Sequence, residues 1–208
     1  GPSGFGRLFI GYRRLQAGDS TFSWTSSSVA SSATAWGTSV FRGVIATGDP
    51  FESQSGAPAT FTNINDPNPP AVTPVTTGAA VFTLFGKSNS YSSIVVPSNY
   101  LSAGDKRETA GNDASIGTAY RLNLTGGSSE DPGAWTLGGG ASGDDGQVWT
   151  AALAPVPPGP LNNFLVEAAG GGSIGTQTAG TPFGIKITAR DASNNTATGF
   201  MGTATITS

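Results

Sequence analysis

The dominant pattern in this chain is an alternation of apolar and polar residues with a period of two. The alternating stretches are short and lie between Gly, Pro, Asn, Asp and Ser, which is typical of strands separated by turns. The pattern predicts eight strands, at Arg7–Leu15, Thr21–Thr25, Ala35–Gly43, Ala79–Phe85, Tyr91–Val96, Ser115–Asn123, Ala134–Leu137 and Gln147–Ala154. No stretch carries helical spacing of apolar residues. We therefore expect an all-β fold, an antiparallel β-sandwich or jelly-roll-like domain.

A long stretch without clean alternation separates the third and fourth predicted strands. It runs from Gly48 to Gly78, reads "GDPFESQSGAPATFTNINDPNPPAVTPVTTG" and contains six prolines. A loop of this length inside a domain is uncommon, and such loops cover a sheet edge or carry a function. We predict that it covers one edge of the sheet, and the alternative is a binding loop.

A second change of pattern occurs at "PVPPGP", residues 155–160. Proline at this density favours an extended, stiff spacer. The sequence therefore predicts a β-sandwich domain at 1–154, a Pro-rich linker at 155–160 and a second domain at 161–208. Alternation resumes there around Phe164, Phe183 and Phe200 and predicts three strands, whereas an Ig-like sandwich has about seven.

The second domain is therefore expected to be a partial Ig-like domain. Its inner-face residues Phe183, Ile185 and Ile187 are apolar and must be buried by another element. We expect sequence downstream of residue 208 to supply it, with a strand from another subunit as the second choice and the first domain as the third. Because both ends of the chain are expected to fall inside domains, we expect the chain to be a piece of a longer modular protein.

Composition narrows the functional class. Charged residues make up 11% of the chain, against roughly a quarter in ordinary globular domains, and small polar residues replace them. This is typical of extracellular or particle-surface β-proteins. The net charge of −3, without a basic run, indicates no nucleic-acid partner. No apolar run approaches the roughly 18 residues that cross a bilayer, so no membrane insertion is expected.

The chain contains no cysteine and no histidine. These absences exclude Ser-His-Asp and Cys-His nucleophile systems, Cys/His zinc sites and imidazole acid–base chemistry. Two acidic pairs remain, Glu130-Asp131 and Asp144-Asp145. A glycosidase would need one such carboxylate buried, but both pairs lie in Gly/Ser/Pro turns, so solvated turn carboxylates are the favoured interpretation. We therefore expect no enzyme.

One cofactor stays open, a Ca²⁺ ion bound by side-chain oxygens. The candidate ligands are Asp144 with Asp145, or Asp191 with Asn194 and Asn195, because hard cations prefer such oxygens. Neither stretch follows an ordered ligand spacing. Otherwise the sequence predicts no cofactor.

The aromatic residues allow either a core or a sugar-stacking platform. We predict core packing for Trp24, Trp36, Trp135 and Trp149. Tyr91 and Tyr100 flank the hairpin "YSSIVVPSNY" and are expected on the surface. If the protein contacts a glycan, the expected places are these two tyrosines and the loop Gly48–Gly78. For Arg42 an ion pair with Asp49 is favoured over ligand binding.

Two stretches resemble known families. The segments "FIGYRRLQAGDSTFSW", "SVFRGV" and "DDGQVWTAALAP" resemble a jelly-roll-like module of phage virion proteins and bacterial surface proteins, over about residues 7–155. The matching motifs are Tyr12-Arg13, Ala17-Gly18-Asp19, Phe41-Arg42-Gly43-Val44 and Ala152-Leu153-Ala154-Pro155. The family's opening strands would precede residue 1. This module brings no active site to transfer.

The second resemblance covers about residues 161–208, which are similar to the first half of the Ig-like repeats of bacterial surface proteins. The matching residues are Ala179, Gly180, Phe183, Ala189, Asp191, Asn195, Gly199, Phe200, Gly202 and Thr203. This family, too, brings no active site.

Together the resemblances imply a non-enzymatic structural or attachment protein on the outside of a phage particle, such as a tail, fibre or decoration subunit. The expected partners are other copies or structural proteins of the same assembly, and a host or cell-surface glycan. The alternative is a bacterial cell-surface or secreted adhesin. The expected location is the virion surface or the extracellular side of a cell.

Overall fold

The computed structural model describes residues 8–20, 34–62, 66–108, 113–139 and 145–205. In this part of the chain the regular elements are all strands. They are β1 Phe51–Gln54, β2 Ala59–Phe61, β3 Ala79–Ser88, β4 Ser93–Val95, β5 Leu101–Glu108, β6 Ala114–Leu124, β7 Thr136–Gly138, β8 Gly146–Leu153, β9 Asn163–Ala168 and β10 Ile185–Arg190. The chain divides into two compact units, residues 1–155 and 156–208. The predicted all-β, antiparallel fold is confirmed and is consistent with a β-sandwich.

The first unit is built on one antiparallel sheet with the order β1-β8-β3-β6-β5, in which β2 also pairs with β8. The three central strands β3, β6 and β8 are apolar on both faces, as in the run Ala79–Gly86. Such strands are stable only in the middle of a sheet that is covered on both sides. The sequence predicted all three of these strands.

The main core covers one face of this sheet. Val81, Phe85 and Val148 point to this face and are buried. Gly117 lies opposite Phe85 in the ladder, and a Cβ atom there would lie 2.4 Å from the Phe85 ring. The glycine therefore makes room for the ring.

The layer over this face is largely irregular. It contains the short pair β4–β7 and the Pro-rich segment 66–74. Pro67, Pro69 and Pro74 are fully buried, and the backbone N–H of Trp135 donates to the Pro67 carbonyl at 2.9 Å. Proline has no backbone N–H that would need an acceptor when buried, which suits it to a core layer without ladders.

The opposite face of the sheet carries a smaller cluster around Leu84 and Trp149. Two N-terminal segments, residues 8–20 and 34–44, contribute side chains to it. Leu8 packs against this cluster, and Phe41 makes edge-to-face contacts with Phe82 and Tyr120 at 5.3 and 6.1 Å between ring centroids. These segments are extended but form no ladder beyond the single bridge Val44–Pro155 among the described residues.

The strands predicted at Arg7–Leu15 and Ala35–Gly43 are therefore wrong for the residues that the structure describes. The alternation correctly indicates that these segments have one side facing the protein and one side facing solvent. A segment that lies over the face of a sheet, however, contacts that sheet through its side chains, so its backbone groups form no ladder with the strands. The prediction at Thr21–Thr25 falls outside the described residues.

The predicted loop Gly48–Gly78 is partly wrong, because it contains β1 and β2. Both strands pair with β8 and cover that side of the sheet, as expected for this stretch. Strand β5 was missed altogether. It lies at the opposite edge, and nearly all of its side chains are exposed, so no apolar alternation marks it.

The second unit is a two-stranded antiparallel hairpin with irregular connections. Strands β9 and β10 pair along their whole length. Asn163 lies opposite Arg190 at one end of the ladder, and Ala168 lies opposite Ile185 at the other. The predicted strand around Phe200 is absent from residues 199–205, where the chain is irregular, and Ile206 lies outside the described residues. Phe200 instead packs edge-to-face on Phe164 at 5.4 Å between centroids.

Candidate functional site

Glu130 is the most buried carboxylate of the first unit that the structure describes. Its backbone forms a two-bond bridge with Val72, and the residue is 8% exposed. The Tyr100 hydroxyl donates to Oε1 at 2.9 Å, and Arg121 Nη1 donates to both carboxylate oxygens at 2.9 Å. The prediction of a solvated turn carboxylate is therefore wrong for Glu130.

This environment fixes the protonation state of Tyr100. Burial raises the pKa of Tyr100 well above its usual value, and the hydrogen bond to Glu130 raises it further. The phenol remains a donor, and the charge of Glu130 is neutralised by Arg121. Glu130 thereby links the Pro-rich layer to the sheet, since its backbone pairs with Val72 and its carboxylate binds Arg121 of β6.

A similar cluster holds Tyr91. Its hydroxyl donates to Asp105 Oδ2 at 2.9 Å, and the Arg107 guanidinium lies 4.9 Å from the ring centroid. Arg107 also donates to the Tyr91 and Ser92 carbonyls. Burial is the main cause that raises the pKa of Tyr91.

The prediction that Tyr91 and Tyr100 are surface aromatics is therefore wrong. Both rings belong to the main core. Their hydroxyls reach the rim of the core, where the carboxylates lie. Neither ring offers an open face to a glycan.

The oxygens of the Ca²⁺ candidate Asp191 are already bonded. Oδ1 accepts from the Ser193 and Asn195 N–H groups at 2.8 Å, and Oδ2 accepts from the Gly159 N–H at 2.9 Å and from Asn195 Nδ2 at 3.2 Å. The Gly159 bond is the main cause that lowers the pKa of Asp191. The residues described contain no group of three or more acidic side chains placed to hold a metal. Asp144 lies outside them.

The tryptophans do not share one environment. Trp135 and Trp149 are buried, as predicted, and Trp24 lies outside the described residues. Trp36 is 65% exposed, so its predicted core position is wrong. The predicted Arg42–Asp49 ion pair does not form, and Asp49 Oδ1 accepts from the Phe51 N–H at 3.0 Å instead.

Trp36 lines an open groove of about 250 Å³, here called the Trp36 groove. Its other lining residues include Thr38, Lys106, Ile116 and Thr118, and Asp105 borders it as well. Lys106 and Ile116 are direct partners in the β5–β6 ladder, so their side chains share a face. Asp105 points to the other face, where it binds Tyr91. The groove therefore combines an aromatic plane, hydroxyls and a cation.

A second groove, of about 240 Å³, lies at the other end of the same N-terminal segment. Arg42, Phe41, Asn123 and Leu153 are among its lining residues, and it is called the Arg42 groove. Sequence reasoning considered Arg42 as a ligand-binding residue but did not consider Lys106. The charged run of β5 carried no signal that one of its side chains would meet Trp36.

No family model, curated protein or solved structure matches this chain. No helix long and apolar enough to cross a bilayer occurs among the described residues.

Proposed function

We propose that this protein is a non-enzymatic structural or attachment subunit on the outside of a phage particle, in a tail, a fibre or a decoration layer. The observation that carries the proposal is the apolar sheet face of the second unit. Phe164 and Val166 alternate along β9, and Ile187 lies opposite Val166 in β10. Val166 is 48% exposed, and Phe183, which precedes β10, is 51% exposed.

An isolated two-stranded hairpin is only marginally stable in water. Covering each apolar side chain of this kind contributes roughly 1.5–3 kcal/mol. The hairpin therefore gains stability from any protein surface that packs on its apolar face or extends its edges. Subunits of a particle supply such surfaces to one another, and strand addition is one established way.

The composition supports the same setting. A chain with 11% charged residues and many Gly, Ser and Thr residues suits a packed, exterior β-protein. The partners proposed here are other copies or other structural proteins of the same particle.

The bacterial adhesin is the second candidate, and one observation favours it. Asp191 and Asn195 form the turn after β10 with hydrogen bonds between them. These two residues belong to the motif that resembles Ig-like surface repeats. In that setting the apolar face would be covered within a row of repeats.

The test is co-expression of the chain with the structural proteins encoded beside its gene, followed by purification of the assembly. We expect Phe164→Glu and Val166→Glu to abolish incorporation into the particle. Met201→Glu is the matched control, because Met201 is 94% exposed in the same unit, and it should assemble normally. Normal incorporation of the Phe164 and Val166 variants would contradict the proposal. So would a full-length gene with a secretion signal and a cell-wall anchor, which would support the adhesin.

A further inference from the structure

The geometry points to the Trp36 groove as a binding site for uronic-acid units of an acidic polysaccharide. This inference rests on the proposed attachment function, because it names the surface component that an attachment protein would contact. It also moves the expected glycan contact from Tyr91 and Tyr100, which are buried, to a different face of the first unit.

The first argument is the aromatic plane. A single exposed apolar residue needs no explanation. Trp36, however, forms one wall of a concave site that also contains polar groups. An indole presents a negative π-face, which attracts the C–H groups on the apolar face of a pyranose ring. The plane and the concavity together suit a sugar ring.

The second argument is the charge of the groove. Lys106 forms no ion pair among the described residues, whereas the carboxylate of Asp105, which also borders the groove, accepts from the Tyr91 hydroxyl and lies 3.9 Å from Arg107 Nε. An ammonium group beside an aromatic plane is complementary to a ring that carries a carboxylate. A neutral sugar gains nothing from the charge of Lys106, whereas a carboxylate on the ring gains a charge-assisted hydrogen bond from it. The groove therefore favours an acidic ligand.

The third argument concerns hydroxyl recognition. Thr118 Oγ1 donates to the Gly104 carbonyl at 2.9 Å, so its oxygen is held in place and keeps acceptor capacity for a sugar hydroxyl. Thr38 contributes a second hydroxyl to the lining. Because Thr118 lies on a central ladder, this wall of the site is rigid before binding.

The fourth argument is the shape of the groove. A volume of about 250 Å³ lies near the lower end of small-ligand sites, which suits one or two sugar rings. The groove is open rather than closed around its contents. An open groove accommodates internal units of a polymer, whereas a terminal acidic sugar is better held by a closed pocket. We therefore assign the site to a uronic-acid polymer.

The experiment titrates the purified chain with trigalacturonate and with neutral galactotriose, and binding is followed by backbone amide NMR shifts. We expect trigalacturonate to shift the amides of Trp36, Lys106 and Thr118 and to bind at least about tenfold more tightly than the neutral trimer, as one charged hydrogen bond would give. Equal binding of both trimers, no binding at millimolar concentration, or shifts elsewhere would overturn the assignment.

Variants separate the two recognition elements. Trp36→Ala should weaken binding of both trimers, whereas Lys106→Met should remove the preference for the acidic one. Lys186→Met makes the same charge change in the second unit, and Arg42→Gln removes the cation of the other groove. Both controls should bind like the unchanged protein. Equal losses in Lys106→Met and Lys186→Met would indicate non-specific charge attraction and overturn the proposal.

One further probe and one readout complete the test. Tighter binding of a thymidine oligonucleotide than of trigalacturonate would overturn the saccharide assignment in favour of single-stranded nucleic acid. Particle incorporation of Trp36→Ala is measured in parallel. Lost saccharide binding with normal incorporation separates the site from assembly, so either proposal can fail while the other stands.

Discussion

The first unit and the second unit use the same residue types to different effect. In the first, β3 is buried on both faces, and Ala79, Val81 and Phe85 have no measurable exposure. In the second, β10 carries a comparable apolar alternation, yet Ile185 remains exposed, and the buried residues among those described in this unit include Asp191 and Ala197. The difference lies in the number of strands and in the covering layers, since the sheets of both units are antiparallel.

The comparison teaches that alternation determines where strands form but not where a core forms. A strand contributes to a core when ladders flank it on both sides and a layer covers it. Strand β3 has β8 and β6 as neighbours. Strand β10 has β9 as its ladder partner, and a hydrogen-bonded turn around Asp191 orders its end.

The largest expected effect tests the core of the first unit. Phe85→Ala should lower the free energy of unfolding by about 3–5 kcal/mol, because the ring is fully buried against Trp135 and Tyr91. Urea denaturation followed by tryptophan fluorescence measures it, since all four tryptophans precede Pro155. Leu122→Ala, at a half-exposed position of the same sheet, should change it by less than about 1 kcal/mol. Similar losses in both variants would remove the distinction between core and surface.

A smaller effect tests the polar link between the sheet and the Pro-rich layer. Glu130→Gln should cost about 2 kcal/mol, because a buried charged acceptor for Tyr100 and Arg121 is lost. The same denaturation experiment applies. Asp131→Asn at the exposed neighbouring position should be neutral within about 0.5 kcal/mol. An unchanged midpoint for Glu130→Gln would show that the layer is held by its apolar contacts alone.

The smallest and most local effect concerns the second unit. The N–H groups around Asp191 lower its pKa in the folded chain. Its contribution is therefore present above the unfolded-state pKa and is lost as the pH falls through the folded value. Acidification should lower the protection factors of the Gly159, Ser193 and Asn195 amides, which are the intrinsic exchange rates divided by the observed ones, whereas in Asp191→Asn these factors should not change with pH.

The control for this measurement is Asp49→Asn, which changes a turn carboxylate in the first unit. It should leave the pH dependence at Gly159 intact. If Asp191→Asn retained the same dependence, another group would have to order the turn.

The sequence predicted the strands that are apolar and central, such as β3, β6 and β8. It missed β5 because an exposed edge strand of charged residues carries no hydrophobic signal. It placed strands in the N-terminal segments because an extended chain lying over a sheet alternates in the same way as a strand. Which strands pair with one another depends on the folded arrangement, and the local alternation of apolar and polar residues does not indicate it.

The candidate site was less predictable than the fold. The sequence predicted surface positions for Tyr91 and Tyr100 because both lie beside turns. A tyrosine beside a turn can nevertheless point into the core when a carboxylate accepts a hydrogen bond from its hydroxyl, as Asp105 and Glu130 do here. Trp36 was placed in the core because most tryptophans are buried. Trp36 and Lys106 line the same groove although they lie about seventy residues apart in the chain. No sequence motif of fixed spacing predicts that they come together.

The open edge of the main sheet has a consequence for how the protein behaves when crowded. Strand β5 contains a bulge between Ser102 and Gly104 and then the four charged residues Asp105–Glu108. A bulge bends the backbone away from a straight template, and a desolvated row of charges resists stacking. When copies of the chain are crowded together, they should therefore not pair through this edge into amyloid-like ribbons.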